Sequence, residues 1–251
     1  MIDTHCHIFN EYYDNIDEVI NNMDGFMIVA GTDDKTNLEV IDLVNKYEKV
    51  YGVIGIQPEE INKITPDSFN IVEQNIDNPK IVGIGEIGLD YYWDDSNKDY
   101  QKEVFCKMMD VASKYHKPVV IHSRESIKDT YDIISKYPDV KCVLHCYSSS
   151  LEMAKELVKK GVKLGIGGVL TFKNAKKLID VVKEIPLNYL LLETDSPFLT
   201  PEPYRGKRNN PKNVLYVAEK IAEIKGISTE QVLKVTTENA IEQFDLPIHV
   251  W

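Results

Sequence analysis

Short apolar runs rich in β-branched residues alternate along the chain with longer stretches in which apolar residues recur every three or four positions. The runs are Met1–His7, Gly25–Gly31, Val50–Ile56, Lys80–Ile87, Pro118–His122, Lys141–Cys146, Val162–Gly167 and Tyr189–Asp195. Several, such as Val119-Val120-Ile121 and Tyr189-Leu190-Leu191-Leu192, lack the polar alternation of a half-exposed strand, as expected of strands covered on both faces. The stretches between them read as helices. Asn97–His116 is long and charged, Asn174–Glu184 and Pro211–Lys225 carry helical apolar spacing, and Ser149 or Ser150 can cap the helix after the sixth run. Ser228-Thr229-Glu230-Gln231 has the form of a capping box opening a last helix toward Phe244.

Strict alternation of strand and helix implies a parallel sheet with right-handed crossovers. Eight such units in 251 residues predict an α/β protein built as a single (β/α)8 TIM barrel over residues 1–251. An open doubly wound sheet is the other architecture this alternation permits, and no G-x-G-x-x-G follows the first run to favour it. No apolar run approaches the roughly 20 residues that cross a bilayer. The start of the chain shows no basic region followed by an apolar stretch. A cytoplasmic monomer with no membrane contact is therefore expected. Cys6, Cys106, Cys142 and Cys146 form no C-x-x-C pair and are expected as reduced thiols. The net charge of −11 argues against tight non-specific binding to long duplexes. It leaves open an enzyme that holds a strand end at a cationic metal site.

Candidate chemistry gathers at one end of the predicted strands. His5 and His7 end the first run, Glu86 the fourth, His122 the fifth and Asp195 the eighth, with His145 near the end of the sixth. Residues two apart on a strand share a face, so His5 and His7 can aim inward together while Cys6 aims at the helices. The 190 residues from His5 to Asp195 span seven strand-to-strand steps of about 27 each, the length of a βα unit. The carboxyl ends of barrel strands form the catalytic face, and all six residues are expected to meet there. Glu86 and Asp195 lie in apolar surroundings where an unpaired charge is costly, unless it is paired or bound to metal. His116 and His249 fall elsewhere and read as structural. Four imidazoles and two carboxylates exceed the need of one tetrahedral ion, so two divalent ions sharing a carboxylate are expected. Imidazole donors suit zinc, manganese, iron, cobalt or nickel better than magnesium.

The segments Ile2-Asp3-Thr4-His5-Cys6-His7, Gly85-Glu86-Ile87-Gly88-Leu89-Asp90, Ile121-His122-Ser123-Arg124, His145-Cys146-Tyr147 and Glu193-Thr194-Asp195-Ser196-Pro197 resemble, in order and spacing, the motifs of the TatD family. Pro203-Tyr204-Arg205-Gly206-Lys207-Arg208-Asn209 followed by Pro211 resembles that family's loop after strand eight. The resemblance implies an amidohydrolase-like barrel and a metal-dependent deoxyribonuclease that trims single-stranded DNA from 3′ to 5′, with a role in DNA repair. It implies Glu86 as the bridge between the ions, His5, His7 and Asp195 on one, and His122 and His145 on the other. It also implies activity with magnesium. One departure is Gly55-Ile56-Gln57-Pro58, where the family often has histidine at the third position. Gln57 can hydrogen-bond a phosphate but cannot titrate near neutral pH.

On this basis Asp195 and Glu86 are the expected catalytic carboxylates. A metal-bound water would attack phosphorus, Asp195 would take its proton, and Arg124 and Arg205, with Lys207 or Arg208, would neutralise phosphate charge. The loop cations read equally as a solvated basic turn. Tyr91, Tyr92 and Trp93 either stack on a base or seal the barrel rim. The same site could instead attack a carbonyl, as an amide or ester hydrolase of small molecules or of aminoacyl-tRNA.

Overall fold

A computed structural model describes residues 1–248; His249 lies outside them. Among the described residues, eight strands alternate with helices: β1 (Ile2–Cys6), β2 (Phe26–Ala30), β3 (Val50–Ile54), β4 (Ile81–Asp90), β5 (Val119–Arg124), β6 (Cys142–Leu144), β7 (Lys163–Ile166) and β8 (Leu190–Leu192). The helices are α1 (Ile16–Asn21), α2 (Asp34–Lys46), α3 (Pro66–Asn75), α4 (Lys98–Tyr115), α5 (Ile127–Ile134), α6 (Leu151–Lys159), α7 (Lys176–Glu184), α8 (Val214–Lys225) and α9 (Thr229–Phe244). Sheet order follows chain order from β1 to β8, and the topology is the expected (β/α)8 barrel. Among the described residues no helix is long and apolar enough to cross a membrane. The chain falls into two compact units, Ala30–His145 and, as the other, Met1–Val29 with the chain from Cys146 onward.

Within Ala30–His145, β3 pairs with β4, β4 with β5 and β5 with β6, all parallel. Val53, Ile54, Ile84, Ile87, Leu89 and Val119 to Ile121 are buried, which is why these strands lack polar alternation. Helix α4 packs on β4 and buries Val104, Met108 and Ala112 on one row and Phe105 and Met109 on the next. Each large apolar side chain so buried contributes roughly 1.5–3 kcal/mol. His116 ends α4 in the left-handed conformation, φ 52°.

Strand β4 runs four residues past Glu86, so Glu86 lies in mid-strand instead of ending it. The cause is continued pairing with β5, in register Gly88↔His122, Leu89↔Ser123 and Asp90↔Arg124. Gly88 makes that possible. Its φ is +137°, and a Cβ there would lie 2.0 Å from the His122 carbonyl oxygen, so only glycine lets the strands approach this closely.

In the other unit β1 pairs with β2 and β7 with β8, again parallel. Strand β1 also reaches the segment after β8. The Asp195 N–H donates to the His5 carbonyl at 2.9 Å and the His7 N–H to the Ser196 carbonyl at 2.7 Å. Asn239 of α9 donates to the carbonyls of Leu187 and Leu190 and so fixes the start of β8. Ser150 caps α6 through the Met153 N–H. At α9, Ser228 accepts from the Gln231 N–H, one half of the expected capping box.

Candidate metal centre

The backbone ladder between β1 and the segment after β8 brings three ligand side chains together. His5 Nε2 lies 3.2 Å from His7 Nε2. Asp195 Oδ1 lies 3.3 Å from His7 Nε2 and 3.7 Å from His5 Nε2. A tetrahedral ion with bonds of about 2.0–2.1 Å holds its ligand atoms about 3.3–3.4 Å apart, and the three separations straddle that value. His5 and His7 are buried, and Asp195 keeps some solvent access. Asp195 sits in the left-handed region, φ 54°, a conformation tolerated by aspartate and often retained at functional sites. Buried Asp3 braces the triad from behind. Its Oδ1 accepts from the His5 and Thr194 N–H groups and its Oδ2 from the Thr194 hydroxyl. Burial pushes the Asp3 carboxyl well above its usual range despite these bonds.

A second triad forms between β4, β5 and the residue after β6. Glu86 Oε1 lies 2.9 Å from His122 Nδ1 and 3.0 Å from His145 Nε2, and the two ring nitrogens are 3.3 Å apart. These three can hold one ion between them. The far side of the His122 ring is held by Asp90, whose Oδ2 lies 2.8 Å from Nε2. A carboxylate on one ring nitrogen fixes the tautomer that turns the other toward a metal. Burial lowers the His122 pKa, but the Asp90 and Glu86 carboxylates outweigh it and push it up to about 10. Burial likewise lifts Asp90, yet the His122 bond and the Trp93 and Tyr92 N–H groups hold it below its usual range. Glu59, exposed, offers a carboxylate oxygen close to Asp90 and His122.

The donor set fits divalent cations. Each triad offers imidazole nitrogens and one carboxylate at coordination spacing, the chemistry of zinc, manganese, iron, cobalt or nickel.

The other expected contacts divide. Arg124 ends β5 exposed, its guanidinium stacked 3.7 Å from the Tyr92 ring centroid. Arg205 lies exposed with its guanidinium 3.8 Å from the Phe172 ring centroid. Arg208 pairs with Asp14 at 3.5 Å, and Lys207 lies over Tyr204. Gln57 is buried and engaged locally: Oε1 accepts from the Glu59 N–H and Nε2 donates to Glu59 Oε1, capping the short 3-10 turn Pro58–Lys63. Tyr92 and Trp93 are 50% and 64% exposed, while Tyr91 is half-buried. Asp90, Asp3 and Glu59 carry no role in the sequence reading. Asp90 does follow the rule that singles out Glu86, a charge inside an apolar strand.

A family model for TatD related DNases matches residues 2–245. YabD of Bacillus subtilis strain 168, named an uncharacterized metal-dependent hydrolase, is 41% identical over 251 residues, covering 97% of this chain and 98% of its own. YcfH of Escherichia coli strain K12, named likewise, is 33% identical over 256 residues, covering 98% and 96%. The crystal structure of YjjV, a TatD homologue from Escherichia coli K12, superposes with a TM-score of 0.93 at 28% identity, covering 98% of both chains. An Escherichia coli phosphotriesterase homology protein, with phosphate in its active site, shares the fold alone at 15% identity and a TM-score of 0.66, covering 97% of this chain and 98% of its own.

Proposed function

The chain belongs to the TatD related DNase family and is a metal-dependent hydrolase of that family; from that footing we propose that it cleaves phosphodiester bonds of single-stranded DNA from the 3′ end. The observation that carries the reading is the pair of carboxylate–imidazole triads, each at coordination spacing. His5, His7 and Asp195 would hold one divalent ion, and Glu86, His122 and His145 a second. Bound there, the ions supply an acidified water and positive charge for the phosphate.

The residues divide the remaining work. Asp195, partly exposed and held by its backbone bond to His5, accepts the proton of the attacking water at its carboxylate. Arg124, two residues beyond His122 on β5, lends its in-plane N–H donors to a non-bridging phosphate oxygen. His122, oriented by Asp90, keeps Nδ1 toward Glu86.

The test is a substrate panel with magnesium, manganese or zinc. It sets 5′-labelled single-stranded DNA against acyl-amide and ester compounds. A ladder of progressively 3′-shortened DNA is expected. Hydrolysis of amides or esters with intact DNA would replace this reading by a deacylase.

A further inference from the structure

The turn after β4 presents an exposed aromatic pair that neither triad uses. The Tyr92 and Trp93 rings meet edge to face at 4.9 Å and 84°. The Arg124 guanidinium lies 3.7 Å from the Tyr92 centroid and 5.3 Å from that of Trp93. Exposed apolar rings cost free energy in water unless something covers them. Among the described residues, Arg124 has no carboxylate partner, in a chain whose net charge is −11. Stacked on a ring, a guanidinium keeps all its N–H donors in its own plane, directed past the ring edge.

This group is rigidly tied to the second triad. Asp90 Oδ1 accepts from the Tyr92 and Trp93 N–H groups, while its Oδ2 holds His122 Nε2. Buried Gln101 of α4 clamps the same turn. Its Oε1 accepts from the Asp90 N–H, and its Nε2 donates to the Asp90 and Asp94 carbonyls and to Asn97 Oδ1. Tyr91 is drawn the other way, its hydroxyl donating to Asp129. The turn therefore presents Tyr92 and Trp93 outward in a fixed register to His122.

Resting on the reading above, we infer that Trp93, Tyr92 and Arg124 form a nucleotide subsite. The open face of Trp93 stacks on a base, and Arg124 grips the phosphate beside it. A ring face next to an unneutralised planar cation matches a nucleotide, which joins a π-surface to an anion. Every base has such a face, so the subsite accepts single strands with little sequence preference.

The experiment uses the metal-loaded Trp251→Phe protein, in which Trp93 is the one tryptophan left. Its fluorescence is titrated with a phosphorothioate thymidine decamer, which resists cleavage, and with an abasic strand of equal length. Saturable quenching by the decamer, and markedly weaker binding of the abasic strand, are expected. By fluorescence anisotropy of a labelled decamer, Trp93→Ala should bind about tenfold more weakly, and Trp93→Phe should recover most of the loss. No quenching, or equal binding of the abasic strand, would overturn the subsite. Cleavage of unmodified DNA by the wild-type chain is scored separately. Its absence would defeat the nuclease reading and leave the quenching result to decide the subsite.

Discussion

An imidazole can offer either ring nitrogen to a metal, and at His122 the choice is made by a neighbour. Asp90 occupies the Nε2 side, so Nδ1 faces Glu86 and His145. Outer carboxylates of this kind typically support 10- to 100-fold in metal affinity. Asp90→Ala should therefore weaken metal binding about 10- to 100-fold, measured by competition with a chelating dye; unchanged affinity would remove Asp90 from the site. Asp195 carries the other residue-scale expectation. Its Asn variant keeps an oxygen near His7 but cannot accept a proton at neutral pH, so kcat on DNA should fall about 10²- to 10⁴-fold with the circular dichroism unchanged. An active Asp195→Asn enzyme would place the base elsewhere. The residues holding the triads stand out in the sequence because a charge or an H-x-H pair inside an apolar run demands an explanation. Gln57 shows the limit of that logic. Its side chain is spent on Glu59 at a Pro-started 3-10 turn, a local use that the Gln-Pro pair signals as well as any phosphate contact.

At the scale of elements, alternation of apolar runs with helical spacing was enough to find all eight strands, because most strand positions are buried, and runs such as Val50–Ile54 and Leu190–Leu192 are buried at every position. Strand ends were less legible. Strand β8 stops at Leu192, before Asp195, whereas β4 continues to Asp90. Both ends depend on pairing partners far away in sequence, which no local pattern reports. Gly88 is where that pairing is most constrained, through its φ of +137° and the nearby His122 carbonyl. Gly88→Ala should lower the unfolding free energy by at least about 1–3 kcal/mol, read from the urea midpoint. An unchanged midpoint would mean that β4 and β5 can separate here without cost. Gln101 had no sequence signal at all: a polar residue on a long charged helix looks solvated until the turn it clamps is known.

For the whole molecule, the negative charge of −11 leaves much of the local positive field for a nucleic-acid substrate to cations bound at the site, beside Arg124. Loss of those cations should therefore abolish turnover and also lower thermal stability, since the ions bind the folded state alone. The most direct measurement is the metal content of the purified chain by mass spectrometry, for the wild type beside His7→Ala and His145→Ala. About two ions per wild-type chain and about one in each variant are expected, because each substitution breaks a single triad. A wild-type chain that holds one ion or none under saturating metal would contradict the dinuclear account at its root.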